Sequence, residues 1–250
     1  MRDGSHSQTV AIVTTSWDDG HPLDQRVADI LGSYGVRGTF YVPIQYAEMP
    51  RMTDAQLRQL AGTGMEIGSH TVTHARLSRF GRERILYELR ESKRILEHVL
   101  GVAVPAFCYP EGKFSRVARA CAVEAGYQLA RTTMAFHPET TIDPFQMPVF
   151  FQFFPHTRSV HVRHAVKEGN LSGLLNWHRL WGRENNLDFL TQIALDHIVC
   201  HGGILHIWGH SWELEEYHLW DSFTRVIKCI AQHPDVLYLT NTQVARLVTL

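Results

Sequence analysis

The chain is 250 residues long and 44% hydrophobic, and its 24 lysines and arginines nearly balance 25 aspartates and glutamates at a formal net charge of -1. A chain of this size can bury a sizeable core, and with no Pro/Gly/Ser-rich linker it is expected to form a single domain over residues 1–250. The near-neutral balance gives no overall electrostatic reason to bind nucleic acid or an acidic membrane surface, so the expected partner is uncharged or weakly charged.

The opening run MRDGSHSQTV lacks the apolar core of a secretion signal, and no later apolar run approaches the ~20 residues that span a bilayer. No transmembrane segment and a cytoplasmic location are therefore expected. The strand-like run QTVAIVTTSW leads into LDQRVADILGSYG, where Val27, Ile30, Leu31 and Tyr34 recur at helical spacing before Gly35. VRGTFYVPI reads as a second strand, TDAQLRQLAGTG as a capped second helix and MEIGSH as a short third strand. A long amphipathic helix in RFGRERILYELRESKRILEHVLG, strand and turn in PAFCYPEG, a helix in SRVARACAVEAGY and a strand in QLARTT continue the alternation. From Met134 to about His156 the pattern dissolves into Pro-punctuated aromatic sequence. Helices around 158 to 180 and 187 to 201, the strand GGILHIWGH, a helix in LWDSFTRVIKCIAQHP and a last strand VLYLT complete about seven β/α units. Such alternation implies a parallel sheet flanked by helices. Cys108, Cys121, Cys200 and Cys229 form no CxxC pair and read as four reduced thiols.

In a parallel α/β fold the site lies at the carboxyl ends of the strands. Asp18 and Asp19 end the first strand, His70 and His74 follow the third in GSHTVTH, YPEG ends the fourth and WGHSWE the penultimate one. Aspartate and histidine suit zinc and other borderline divalent ions, and one Asp with two His leaves positions open for water and substrate. A second carboxylate beside the ligand can take a proton from water. Side chains alternate along a strand, so a bend is needed to bring both carboxylates into one site, and Gly20 is suited to it. Sixteen histidines make H-x-x-x-H spacing uninformative by itself. The pair His197/His201 falls at a helix end closed by Gly202 and reads as structural, and the aromatics of FFQFFP read as core.

These residues resemble the polysaccharide deacetylase family, the NodB-homology or carbohydrate esterase family four domain. SWDDG is similar to its T-F-D-D-G motif and HTVTH to its H-[ST]-x-x-H motif, with similarity over about residues 10 to 115 and a looser one reaching ILHIWGHSWE. The resemblance implies an α/β fold, a distorted, TIM-like (β/α) barrel of about seven parallel strands. It further implies Asp18 as general base, Asp19, His70 and His74 as ligands of one divalent ion, with zinc the usual one, and a late histidine as general acid. The third motif, R-x-P-x-G in the family, reads CYPEG here, so the arginine that would orient the base is missing. Arg131, at the end of QLARTT, is the candidate replacement, the other reading being a solvated surface arginine. Pro110, Glu111 and Gly112 lie in the same motif, and the Glu111 N–H corresponds to the family's oxyanion donor. The aspartate and tryptophan of the fourth motif find no match.

His206 and His210 both fit the late motif. Four strand residues separate them by roughly 13 Å, which puts His206 within the barrel layers and His210 at the rim as the acid, with Trp212 beyond it as an apolar wall for the acyl methyl. The expected activity is metal-dependent hydrolysis of an N-acyl group, deacetylating an N-acetylated sugar in a cell-surface glycan or its precursor. The alternatives are a non-catalytic sugar-binding domain on the same barrel and a hydrolase of another amide, such as a formamide or ureide. No feature specifies an oligomeric state.

Overall fold

The computed structural model describes residues 10–248, so Gln8 and Thr9 at the start of the expected first strand lie outside the described residues, as does the run before them. In chain order the regular elements are β1 (Ala11–Asp18), α1 (Asp24–Ser33), β2 (Gly38–Val42), α2 (Asp54–Gly62), β3 (Glu66–Ser69), α3 (Arg82–Leu100) and β4 (Ala106–Cys108). They continue with α4 (Arg116–Glu124), β5 (Leu129–Arg131), β6 (Phe151–Gln152), α5 (Arg158–Glu168), α6 (Leu171–Arg179) and α7 (Leu187–His201). The last are β7 (Gly203–Gly209), α8 (Ser211–Glu216), α9 (Trp220–Ile230), β8 (Val236–Tyr238) and α10 (Asn241–Val248).

Seven parallel strands in the order β5-β4-β3-β2-β1-β7-β6 curl into a half-barrel with helices between them. At its centre, β1 pairs with β7 from Ala11↔Gly203 to Trp17↔Gly209. Its other edge is shared: β8 takes the first half, Ala11 to Val13, and β2 the second, Thr15 to Asp18. The ends of the curl, β5 and β6, are tied by the segment that the sequence left unreadable. Met147 N donates to Ala130 O at 3.0 Å, Thr132 N to Met147 O at 2.9 Å, and Phe150 N to His206 O at 2.8 Å. Of the aromatics of this segment, Phe150 and Phe153 are buried in the core, Phe154 is half-buried, and Phe151 is buried at the wall of a cavity.

Alternation along each strand sorts its side chains between the barrel interior and the helical layer. On β1, Val13 and Trp17 join the cluster beneath the helices, whereas Thr14 and Ser16 face inward and bond Asn241 and His206. On β7, Leu205 and Ile207 face the helices while His206 is wholly buried inside. Asp18 therefore belongs to the interior row, at its upper end.

The helix expected over 158–180 is two helices. Gly169 sits at φ 68° and terminates α5, and the Asn170 side chain accepts the Gly173 N–H to start α6 afresh. No helix among the described residues is long and apolar enough to cross a membrane.

Candidate active site

Asp18 and Asp19 are both buried, and the chain between them changes direction. Asp19 has φ 78°, in the left-handed region that aspartate tolerates better than most residues, so the strand alternation is broken and both carboxylates face one cluster. The sequence assigned that bend to Gly20; the bend begins one residue earlier. Gly20 continues it at φ 62°, where an added Cβ would lie 2.8 Å from Val42 Cγ1.

His70 and His74 meet Asp19. His70 Nε2 lies 3.9 Å and His74 Nε2 3.4 Å from Asp19 Oδ1. His70 Nδ1 is 2.9 Å from the Cys108 carbonyl, which can only accept, so Nδ1 carries the hydrogen and Nε2 presents a lone pair. Burial, outweighing the nearby carboxylates, depresses His70 to about 4 and keeps the ring neutral. Asp19 Oδ1 is buried and receives no hydrogen bond. A buried carboxylate oxygen without a donor is costly, and its convergence with two imidazole nitrogens, all within 4.8 Å of one another, fits a divalent cation. A second cluster of Asp18, His70 and Cys108 fits one poorly. Burial pushes the Cys108 thiol far up, leaving it protonated, and Asp18 already has a cationic partner.

That partner is Arg131, which is fully buried rather than solvated and ion-pairs with Asp18 Oδ1. The sheet register explains its placement: Cys108 on β4 is directly paired with Arg131 on β5. The cysteine occupies the expected arginine position and its thiol reaches Asp18 Oδ2 at 3.8 Å but brings no charge, and the neighbouring strand supplies the guanidinium. Tyr41 and Trp208 flank that guanidinium, with ring centroids 5.3 and 4.8 Å from its carbon. Burial alone would raise the Asp18 carboxyl; the charges of Arg131 and His210 and the hydrogen bond from Arg131 hold Asp18 below its ordinary value.

His210 follows the last residue of β7 and caps the start of α8. Its Nε2 lies 3.8 Å from Asp19 Oδ2, and its Nδ1 lies 2.9 Å from Glu213 Oε2. Burial would lower this imidazole, but Glu213, Asp19 and Asp18 lift it to about 9, so it is protonated at neutral pH. Glu213 in turn accepts from Gln152 Nε2 at 3.0 Å. The sequence reading passed over Glu213, although its i+3 spacing from His210 at a helix start was the available signal. His206 is buried below, 2.9 Å from Ser16 Oγ and 3.0 Å from Pro148 O. Trp212 lines the cavity, and its indole N–H also donates to Asp19 Oδ2 at 3.2 Å, so it braces the carboxylate as well.

Glu111 (φ 55°) and Gly112 (φ 63°) form a left-handed turn after the buried Pro110, and both line the cavity. An added Cβ at Gly112 would collide with Thr133 Oγ1. The cavity, of about 340 Å³, reaches from Asp18 and Asp19 past Trp208 and Phe151 to α5. The pair His197/His201 lies outside it, with rings stacked at 4.6 Å at the end of α7.

The sequence matches the family model described as Polysaccharide deacetylase over residues 5–130. It is 25% identical over 134 residues to YxkH of Bacillus subtilis, a chain carrying the polysaccharide deacetylase name, covering 53% of this chain and 47% of that one. It is 24% identical over 168 residues to the peptidoglycan-N-acetylglucosamine deacetylase of Bacillus cereus, covering 65% and 59%. The matches thus span about half to three fifths of these curated relatives. A polysaccharide deacetylase-type structure from Mycobacterium smegmatis superimposes with a TM-score of 0.69 at 17% identity, over 98% of this chain and 92% of that one, and shares the fold.

Proposed function

This chain belongs to the polysaccharide deacetylase family, and on that premise we propose that it is a metal-dependent hydrolase removing the acetyl group of an N-acetylated sugar in a cell-surface glycan or its precursor. The observation that carries the reading is the inequality of two adjacent carboxylates: Asp18 bound to a guanidinium, Asp19 with an orphan oxygen facing two imidazoles. The Bacillus cereus relative, named for N-acetylglucosamine in peptidoglycan, supports a glycan substrate. Asp18, Arg131 and His210 lie on or directly after strands of one sheet, which supports reading residues 1–250 as one catalytic domain.

Asp19, His70 and His74 would hold the ion, and zinc suits this donor set. Once bound, the ion supplies Lewis acidity toward the acyl carbonyl and makes water more acidic. Asp18, kept ionised by Arg131, takes the proton of the attacking water. The Glu111 N–H donates to the developing oxyanion. His210, protonated and fixed through Nδ1 by Glu213, gives its Nε2 proton to the departing amine as the C–N bond breaks. Trp208 and Phe151 bound the cavity beside these groups. The buried Arg131–Asp18 pair supports turnover over a binding-only sugar domain, because two buried charges are costly and a passive wall has no use for them.

Elemental analysis combined with acetate release from a panel of N-acetylated sugars tests the proposal. Acetate release that chelation abolishes and zinc restores is the expected result. A metal-loaded protein that releases no acetate from any of them, yet cleaves a formamide or ureide, would reassign the substrate class.

A further inference from the structure

The near-neutral overall balance hides one strongly uneven region. Residues 158–183, comprising α5, α6 and the turn after them, carry Arg158, Arg163, Lys167, Arg179 and Arg183 against a single carboxylate, Glu168. That is a local charge of +4 in a chain whose formal net charge is -1. None of the five cations has a carboxylate within 4.0 Å among the described residues, and all five side chains are exposed. Elsewhere on the surface Arg82, Arg90, Arg94 and Arg119 are each paired.

The same two helices turn aliphatic side chains to solvent. On α5 the buried Ala165 marks the inner face, and Val162 and Val166, one turn apart, stand outward, Val166 at 63% exposure. On α6 Gly173 and Trp177 are buried, whereas Leu171 (65%) and Leu175 (49%) project from the opposite side beside Arg179. The helices are joined through Asn170, and the ring of His161 on α5 meets Trp177 on α6 at 5.3 Å. The inner edge of α5, through His161, His164, Ala165, Lys167 and Glu168, forms one wall of the catalytic cavity, so Lys167 lies on the cavity side.

We infer that the outward face of α5 and α6 docks on an anionic lipid bilayer surface, with the aliphatic side chains entering the interface and the unpaired cations meeting the lipid headgroups. Complementary charge selects this occupant. The four arginines among them have no carboxylate within 4.0 Å, Arg158 bonding only the Arg183 carbonyl through Nε, and so leave their charge available to an anionic surface; exposed valines and leucines flanked by arginines are the composition of an interfacial helix. Docked in this way, the cavity wall sits directly behind the membrane-facing side chains. The inference concerns a surface only and stands whether or not the proposed hydrolysis is correct.

Sedimentation of the full chain with vesicles of phosphatidylcholine, with and without phosphatidylglycerol, tests it. Binding is expected only to the vesicles containing phosphatidylglycerol, and weaker at high salt. Arg163→Gln with Arg179→Gln should weaken it about thirtyfold, the effect of removing two cations worth ~1 kcal/mol each at such a surface. Leu171→Ser with Leu175→Ser should also weaken it, and because all four side chains are exposed both variants should melt like the parent. The absence of binding to phosphatidylglycerol vesicles would overturn the inference, as would equal binding to both vesicle types or unchanged binding by the arginine variant. A concentration-dependent dimer abolished by the leucine variant, without vesicle binding, would assign the face to a second copy of the chain instead.

Discussion

Asp18 and Asp19 are covalent neighbours with opposite surroundings. Arg131 satisfies one of them, while an oxygen of the other receives no donor and faces His70 and His74. If that contrast separates their roles, Asp18→Asn should still bind about one ion per chain yet lose turnover on the order of a hundredfold or more, the scale of a lost general base. Asp19→Asn should lose the ion. Metal content and kcat measured on both proteins check this, and the opposite pattern would exchange the roles. Arg131 shows what a single position conceals. CYPEG lacks the family's arginine, and a sequence comparison at Cys108 alone reads the site as incomplete. The register partner on β5 fills the same space from another strand.

The loop after β3 that carries His70 and His74 depends on α3. Thr71 and His74 both adopt left-handed φ values of 70° and 54°, strained for side chains of their types. The wholly buried Glu88 of α3 holds the loop in that shape, accepting from Val72 N at 2.9 Å, Thr73 N at 3.0 Å and Thr73 Oγ1 at 2.9 Å. Arg84 pairs with the same carboxylate at 2.6 Å. Glu88→Gln keeps the volume but replaces an acceptor oxygen with a donor, so the loop should relax and ion affinity fall about tenfold, at the lower end for a supporting group. Zinc titration calorimetry, with circular dichroism to verify the helices, measures this; unchanged affinity would mean that the loop holds its shape without α3.

At the scale of the whole molecule, the barrel interior is polar along its axis, with His206 at its centre bonded to Ser16 and Pro148. Burial, aided by the Arg131 charge, depresses His206 to about 3. The folded state therefore holds this ring neutral, whereas the unfolded chain protonates it near its ordinary value of about 6.5. Between those values the unfolded state binds the extra proton, so the stability is fully present above pH 6.5 and declines as pH falls toward 3, by at most ~1.4 kcal/mol per pH unit from this group. Urea unfolding of the parent and of His206→Gln at pH 7 and pH 5 should reveal a smaller acid loss in the variant; identical losses would remove His206 as the cause. The alternation of strands and helices, the ligand motifs and the depth difference between His206 and His210 were legible in the sequence, because each follows from local periodicity or from rise per residue along one strand. The bend at Asp19, the break between α5 and α6, the bracing of Asp19 by Trp212 and the approach of Arg131 to Asp18 were not. Those depend on backbone dihedrals or on contacts between segments up to 193 residues apart, such as Trp212 with Asp19, which only strand register and the curl of the sheet bring together. The sequence by itself determined which residue types could hold a metal and move a proton, and the tertiary structure decided which of them meet, because distance in a barrel is set by neighbouring strands and not by position along the chain.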